Sequence, residues 1–126
     1  MAIILSLDDD PITIKVLCAI LTDAGYESLG TTDDQEALSI LRTQPIDLFT
    51  QDFMRPGSGG CEFLRQMKSE EALRSIPVLG ISAMSRDTIA ERLKQVGLDI
   101  DRDLNGYFRK PPMWTELLDA IEVILR

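Results

Sequence analysis

Short apolar, strand-like runs alternate with stretches whose apolar residues recur at helical spacing, and this alternation constrains the chain more than any other feature. The runs are Ala2 to Leu7, Tyr26 to Leu29, Leu48 to Gln51, Val78 to Ile81 and Tyr107 to Arg109. Strand and helix in repeated succession predict an α/β fold: a doubly wound, five-stranded parallel sheet with helices on both faces. The intervening stretches carry helix punctuation. Asp10 before Pro11 offers an N-cap and a proline at the first helical position, and Gly25 closes that helix after Val16, Ile20 and Ala24. Thr32 or Asp33 caps a second helix with Ala37, Leu38 and Leu41 inward. Leu64 and Met67 mark a third, Ile89, Leu93 and Val96 a fourth ended by Gly97, and Leu117, Ala120, Ile121, Ile124 and Leu125 the last. Between Leu98 and Gly106 the expectation is a polar, solvated connector.

Where the strand-like runs stop, chemistry starts. Asp8 and Asp9 follow the first run, Asp52 the third, Ser82 the fourth and Lys110 the fifth. The carboxyl ends of parallel strands share one edge, so residues far apart in the chain converge there. Three acids, a hydroxyl and a lysine brought face to face require a cation and an anion to offset them, which points to a divalent metal and a phosphoryl group.

Composition removes most other functions. At 126 residues the chain fits one domain, residues 1–126, able to bury a core without disulfides. No apolar stretch approaches the roughly 20 residues that span a bilayer, and Met1 to Leu7 lacks the basic start of a signal peptide, so a cytoplasmic setting is expected. A net charge of −8 argues against nucleic acid as a direct partner. The sequence has no histidine, which removes Ser-His-Asp and Cys-His catalysis and any internal phosphohistidine; a phosphoryl group must come from outside. Cys18 and Cys61 lack CxxC spacing and read as ordinary thiols. Gly57 to Glu62 misses the last glycine of GxGxxG, and Asp101-x-Asp103-x-Asn105-Gly106 imitates half a calcium loop but places Pro112 where glutamate is needed.

LDDDP with Asp8 and Asp9, QDFMRPGSGG with Asp52, GISAMS with Ser82 and Ala83, and YFRKP with Lys110 together resemble the receiver domain of two-component response regulators, from Ile3 to the final helix. The resemblance implies a flavodoxin-like fold of the stand-alone, single-domain type. It implies that Asp52 is the phosphoacceptor and that Asp8, Asp9, Asp52 and the backbone carbonyl of Met54 hold Mg²⁺ or Mn²⁺. Ser82, the Ala83 backbone amide and Lys110 then bind the phosphoryl group. Ser82 and Tyr107 act as the switch, Pro111 shapes the loop and is cis, and Arg92, Arg109 and Trp114 belong to a readout surface on the fourth helix, fifth strand and last helix. The partners implied are a histidine kinase or histidine phosphotransfer protein upstream and a signalling protein downstream, with the chain a monomer or a phosphorylation-dependent dimer.

Some positions depart from the family pattern. Met54 and Met84, two residues after Asp52 and Ser82, stand where side chains are often polar and flank the path of attacking water, so slow self-dephosphorylation is expected. Arg55 replaces a frequent methionine and Pro112 a frequent aromatic. Two other readings stay open: a metal-dependent phosphohydrolase with an aspartyl nucleophile, which would want a second acid at position 54, and a phosphorylation-incompetent docking module.

Overall fold

The structure, a computed structural model, describes residues 1–54 and 59–126. The expectations placed on Arg55 and on Pro56, Gly57 and Ser58 of the glycine-rich loop lie outside the described residues. In chain order the elements are β1 (Ile3–Leu7), α1 (Pro11–Asp23), β2 (Glu27–Thr31), α2 (Asp34–Thr43), β3 (Leu48–Gln51), α3 (Gly59–Ser69), β4 (Val78–Ser82), α4 (Arg86–Gln95), a short α5 (Ile100–Asp103), β5 (Gly106–Arg109) and α6 (Trp114–Ile124). The strands form one parallel sheet in the order β2-β1-β3-β4-β5. This is the doubly wound, flavodoxin-like arrangement, and its order reverses between β1 and β3.

Alternation along each strand sends side chains to two separate cores. Ile4, Leu48, Leu79 and Ile81 meet Leu17 and Leu21 of α1 and Leu117 and Ile121 of α6 on one face. Leu5, Leu7, Phe49 and Val78 meet α2, α3 and α4 on the other, where the Phe49 and Phe63 rings lie 5.7 Å apart. Helix starts follow the sequence chemistry. Asp10 accepts from the Ile12 amide at 2.9 Å with Pro11 at the first helical position, and of the two capping candidates it is Asp33 that accepts from Glu36 N at 3.2 Å.

Two expectations need correction. β2 runs from Glu27 to Thr31 rather than from Tyr26 to Leu29, because its backbone pairs with β1 in register from Ile3↔Glu27 to Leu7↔Thr31 regardless of apolar pattern. The segment between Leu98 and Gly106 is not a solvated connector. It contains α5, and Leu98, Ile100 and Leu104 are buried in the α2–α4 core. The residues of the calcium-like stretch have structural tasks: Asp101 pairs with Arg86, Asp103 pairs with Arg102, and Asn105 Oδ1 accepts from Val78 N at 3.0 Å.

Candidate functional site

The site is assembled by strand ladders that continue one residue past the strands. Asp8 N donates to Thr31 O, Asp52 N donates to Leu7 O at 3.0 Å, and Lys110 N donates to Ser82 O at 2.8 Å. Each key residue therefore sits at the carboxyl edge of the sheet with its backbone anchored. Asp8 and Asp52 flank the point where strand order reverses, the position at which open α/β sheets bind ligands.

Asp8 and Asp52 are each only 4% exposed, whereas Asp9 is exposed. Lys110 Nζ bridges the buried pair, donating to Asp8 Oδ2 at 2.6 Å and to Asp52 Oδ2 at 3.0 Å. Asp8 Oδ1 also accepts from Asp10 N, and Asp52 Oδ1 from Met54 N, both at 2.9 Å. Burial pushes the Asp8 carboxyl above its ordinary value, against the pull of its hydrogen bond to Lys110, and the nearby Asp52 charge adds to the rise. For Lys110 burial pulls downward, but the hydrogen bonds to Asp8 and Asp52 outweigh it and the ammonium is held above its usual range. One lysine thus compensates two buried carboxylates.

One carboxylate oxygen from each of Asp8, Asp9 and Asp52 lies within 4.8 Å of the others. An all-oxygen donor set with two buried members and one facing solvent suits a hard divalent cation such as Mg²⁺, which keeps several waters. The carboxylates need the charge as well: three acids face one lysine.

Ser82 is fully buried at the end of β4, and its Oγ accepts from Met84 N at 3.5 Å, a long contact. Ala83 is exposed, and its carbonyl accepts from Arg109 Nε at 3.1 Å. Half-buried Tyr107 lies over Gly80, where a Cβ would come within 2.7 Å of the ring, so only glycine leaves room. The phenol donates to the Met84 carbonyl, and burial raises its pKa while contact with Ser82 works against the rise. The Lys110-Pro111 peptide bond is cis, as the resemblance implied. Arg92 is exposed on α4, and Arg109 is exposed at the end of β5.

Trp114 is half-buried at the start of α6. It packs with the α1–α6 core, on the opposite face of the sheet from Tyr107. There it lines a cavity of about 420 Å³ whose walls also include Leu17, Thr50, Ile81, Pro111 and Pro112, and which reaches Asp8, Asp52 and Lys110. Ile12 (70% exposed) and Val16 also line it, and Met113, next to Trp114 in the chain, is exposed. Pro112, a smaller side chain than the aromatic frequent there, was the sequence signal for such an opening.

Gln51, the last residue of β3, was not singled out as a site residue. Its side chain is fully buried, and Nε2 donates to Gly60 O at 2.6 Å. The glycines of the following loop signalled close backbone approach, but nothing in the sequence named the side chain that approaches.

Comparison with known proteins agrees with this geometry. The response regulator receiver domain matches residues 4–122. The polar-differentiation response regulator DivK of Brucella ovis is 27% identical over 122 residues, covering 97% of this chain and 94% of the relative. Among solved structures, the chemotaxis protein CheY4 of Vibrio cholerae superposes with a TM-score of 0.83 at 26% identity over 99% of both chains. The signal receiver domain of a signal transduction histidine kinase from Syntrophus aciditrophicus does so at 0.82 and 26%, over 99% of this chain and 90% of that one. With the family's model matching residues 4–122 and the fold matching that of solved receivers along nearly the whole sequence, this chain belongs to the response regulator receiver domain family.

Proposed function

We propose that this chain is a phosphoacceptor: Asp52 takes a phosphoryl group from a phosphohistidine on a histidine kinase or histidine phosphotransfer protein and presents the change to a downstream signalling protein. The observation that carries this reading is Lys110 bridging Asp8 and Asp52 at the sheet's switch point. A carboxylate oxygen of Asp52 attacks phosphorus, the P–N bond breaks, and the imidazole leaves with the electron pair and regains a proton. Lys110 is already within reach of both carboxylates and transfers its hydrogen bonds to a phosphoryl oxygen as charge accumulates there. The Ser82 hydroxyl and the Ala83 amide serve the other oxygens. Asp8, Asp9, Asp52 and the Met54 carbonyl would hold Mg²⁺ or Mn²⁺, which supplies positive charge to offset the carboxylates and the incoming group.

Exposed Ile12 and Val16, which line the same cavity as Asp52, offer a donor helix a landing place. Readout follows from Ser82 and Tyr107, with Arg92 on α4, Arg109 at the end of β5 and Trp114 at the start of α6 as the contacts offered to a partner. Such a domain works in the cytoplasm, as a monomer or as a dimer formed on phosphorylation. Met54 and Met84 give an attacking water no polar partner, so the acyl phosphate is long-lived. The phosphohydrolase reading lacks a second acid at position 54, and an incompetent docking module has no need of an intact acid pair and lysine.

Intact mass after incubation with Mg²⁺ and acetyl phosphate tests this. A single phosphoryl adduct, lost in Asp52→Asn, is expected. Donor turnover without adduct would establish a hydrolase, and neither result would leave a docking module.

A further inference from the structure

We propose that Gln51 is a positioning residue for phosphoryl transfer, holding the first turn of α3 against the backbone of Asp52 so that the segment bearing the phosphoacceptor and the Met54 carbonyl is pinned at both ends. The inference rests on the phosphoacceptor reading and adds to it a residue that never touches the phosphoryl group.

Gln51 and Asp52 are consecutive, and their side chains leave β3 on opposite faces, Gln51 toward α3. Nε2 donates to the Gly60 carbonyl at 2.6 Å, joining residues nine positions apart with no solvent contact at Gln51. The two backbones touch at the same place. A Cβ on Gly60 would lie 2.8 Å from Phe53 Cα, 2.9 Å from the Asp52 carbonyl oxygen and 2.7 Å from Gln51 Nε2. Any side chain at 60 would therefore drive α3 away from the phosphoacceptor, and the amide bond draws it in.

The chain sacrifices stability for this bond. Gln51 Oε1 is buried and has no hydrogen-bond partner among the described residues. The Gly60 carbonyl does not depend on Gln51, since a carbonyl in the first turn of a helix accepts from the amide four residues on. Methionine would fill a similar volume, leave nothing orphaned, and satisfy the surrounding core. A buried amide with one unmet acceptor is a poor packing residue, so its value lies in the fixed separation it imposes between α3 and the end of β3. Groups hydrogen-bonded to a metal's ligands typically change metal affinity by about 10–100-fold when lost, and Gln51, acting one step further out through the backbone of Asp52, belongs at the lower end of that range.

The test compares wild type, Gln51→Met and Gly60→Ala. Mg²⁺ affinity is read from Trp114 fluorescence, thermal stability from Tm, and phosphorylation rate from intact mass with acetyl phosphate. Gln51→Met is expected to keep or raise Tm while weakening Mg²⁺ binding about tenfold and slowing adduct formation by a similar factor. Gly60→Ala is expected to weaken Mg²⁺ binding as well, because it separates the same two backbones. Wild-type Mg²⁺ affinity and rate in Gln51→Met would overturn the proposal. So would a loss of function that only follows a fall in Tm, which would make Gln51 a packing residue. Failure of wild type to form any adduct would instead remove the phosphoacceptor reading, and the Mg²⁺ titration would still decide for or against Gln51.

Discussion

The two faces of the sheet are closed to different degrees. Among the described residues, the α2–α4 face gathers nineteen buried apolar side chains, with Phe49, Leu64 and Met67 fully enclosed. The α1–α6 face gathers eight and leaves a cavity of about 420 Å³ that reaches the acidic cluster. The closed face sets where the strands end; the open face leaves room at that edge for something to arrive. Frame and access are thus divided between opposite sides of one sheet, and the α1–α6 side adds an apolar approach to the edge that carries Asp52.

Mutations break this comparison in graded steps. The largest effect belongs to the closed face. Phe49→Ala removes a buried ring with little chance of collapse and is expected to cost about 3–5 kcal/mol, seen as a Tm lower by roughly 10–20 °C in a thermal melt. On the open face Ile12→Asp is expected to leave Tm near wild type, because Ile12 is 70% exposed. The same variant should lose about tenfold or more of the transfer rate from a phosphorylated histidine phosphotransfer protein, yet react normally with acetyl phosphate. Equal loss with both donors would place Ile12 in the chemistry rather than in docking.

A smaller effect comes from the acids between the faces. With the Asp8 pKa raised above 3.8 in the fold, the metal-free folded chain binds a proton more tightly than the unfolded one. Its stability therefore falls as pH rises from about 3.8 through the raised value and stays reduced at neutral pH. Asp8→Asn is expected to flatten that slope, raise the metal-free Tm at pH 7 by a few degrees, and weaken Mg²⁺ binding; melts across pH 3–8 with and without Mg²⁺ check all three. The smallest effect is at the surface. Arg86→Ala removes an ion pair to Asp101 whose side chains are 55% and 80% exposed, and no measurable change in Tm is expected, since exposed pairs of this kind contribute little.

Much of this was legible in the chain. Asp10-Pro11 and Asp33 announced helix starts because capping needs only a short polar side chain within three residues of its target. Asp8, Asp9, Asp52, Ser82 and Lys110 stood out because parallel strands bring their carboxyl ends to one edge, whatever their separation in sequence. What was missed depends on contacts between elements. α5 was hidden because Ile100 and Leu104 are isolated apolar residues in an acidic stretch, and only packing against the α2–α4 core reveals why the turn becomes helical. That Trp114 packs against the α1–α6 core was equally hidden, because the first residue of a helix can turn toward either side of the sheet.

The sequence alone determined the order of the five strands and of the five longer helices, the identity of the acids and the lysine at the strand ends, and the absence of any histidine. These follow from local rules: apolar period, capping chemistry and residue inventory. Only the tertiary structure decided that Lys110 bridges Asp8 and Asp52, that the α1–α6 face stays open beside them, and that a buried Gln51 ties α3 to the end of β3. Those three depend on distances between segments brought together by the sheet, and no local pattern encodes a distance across it.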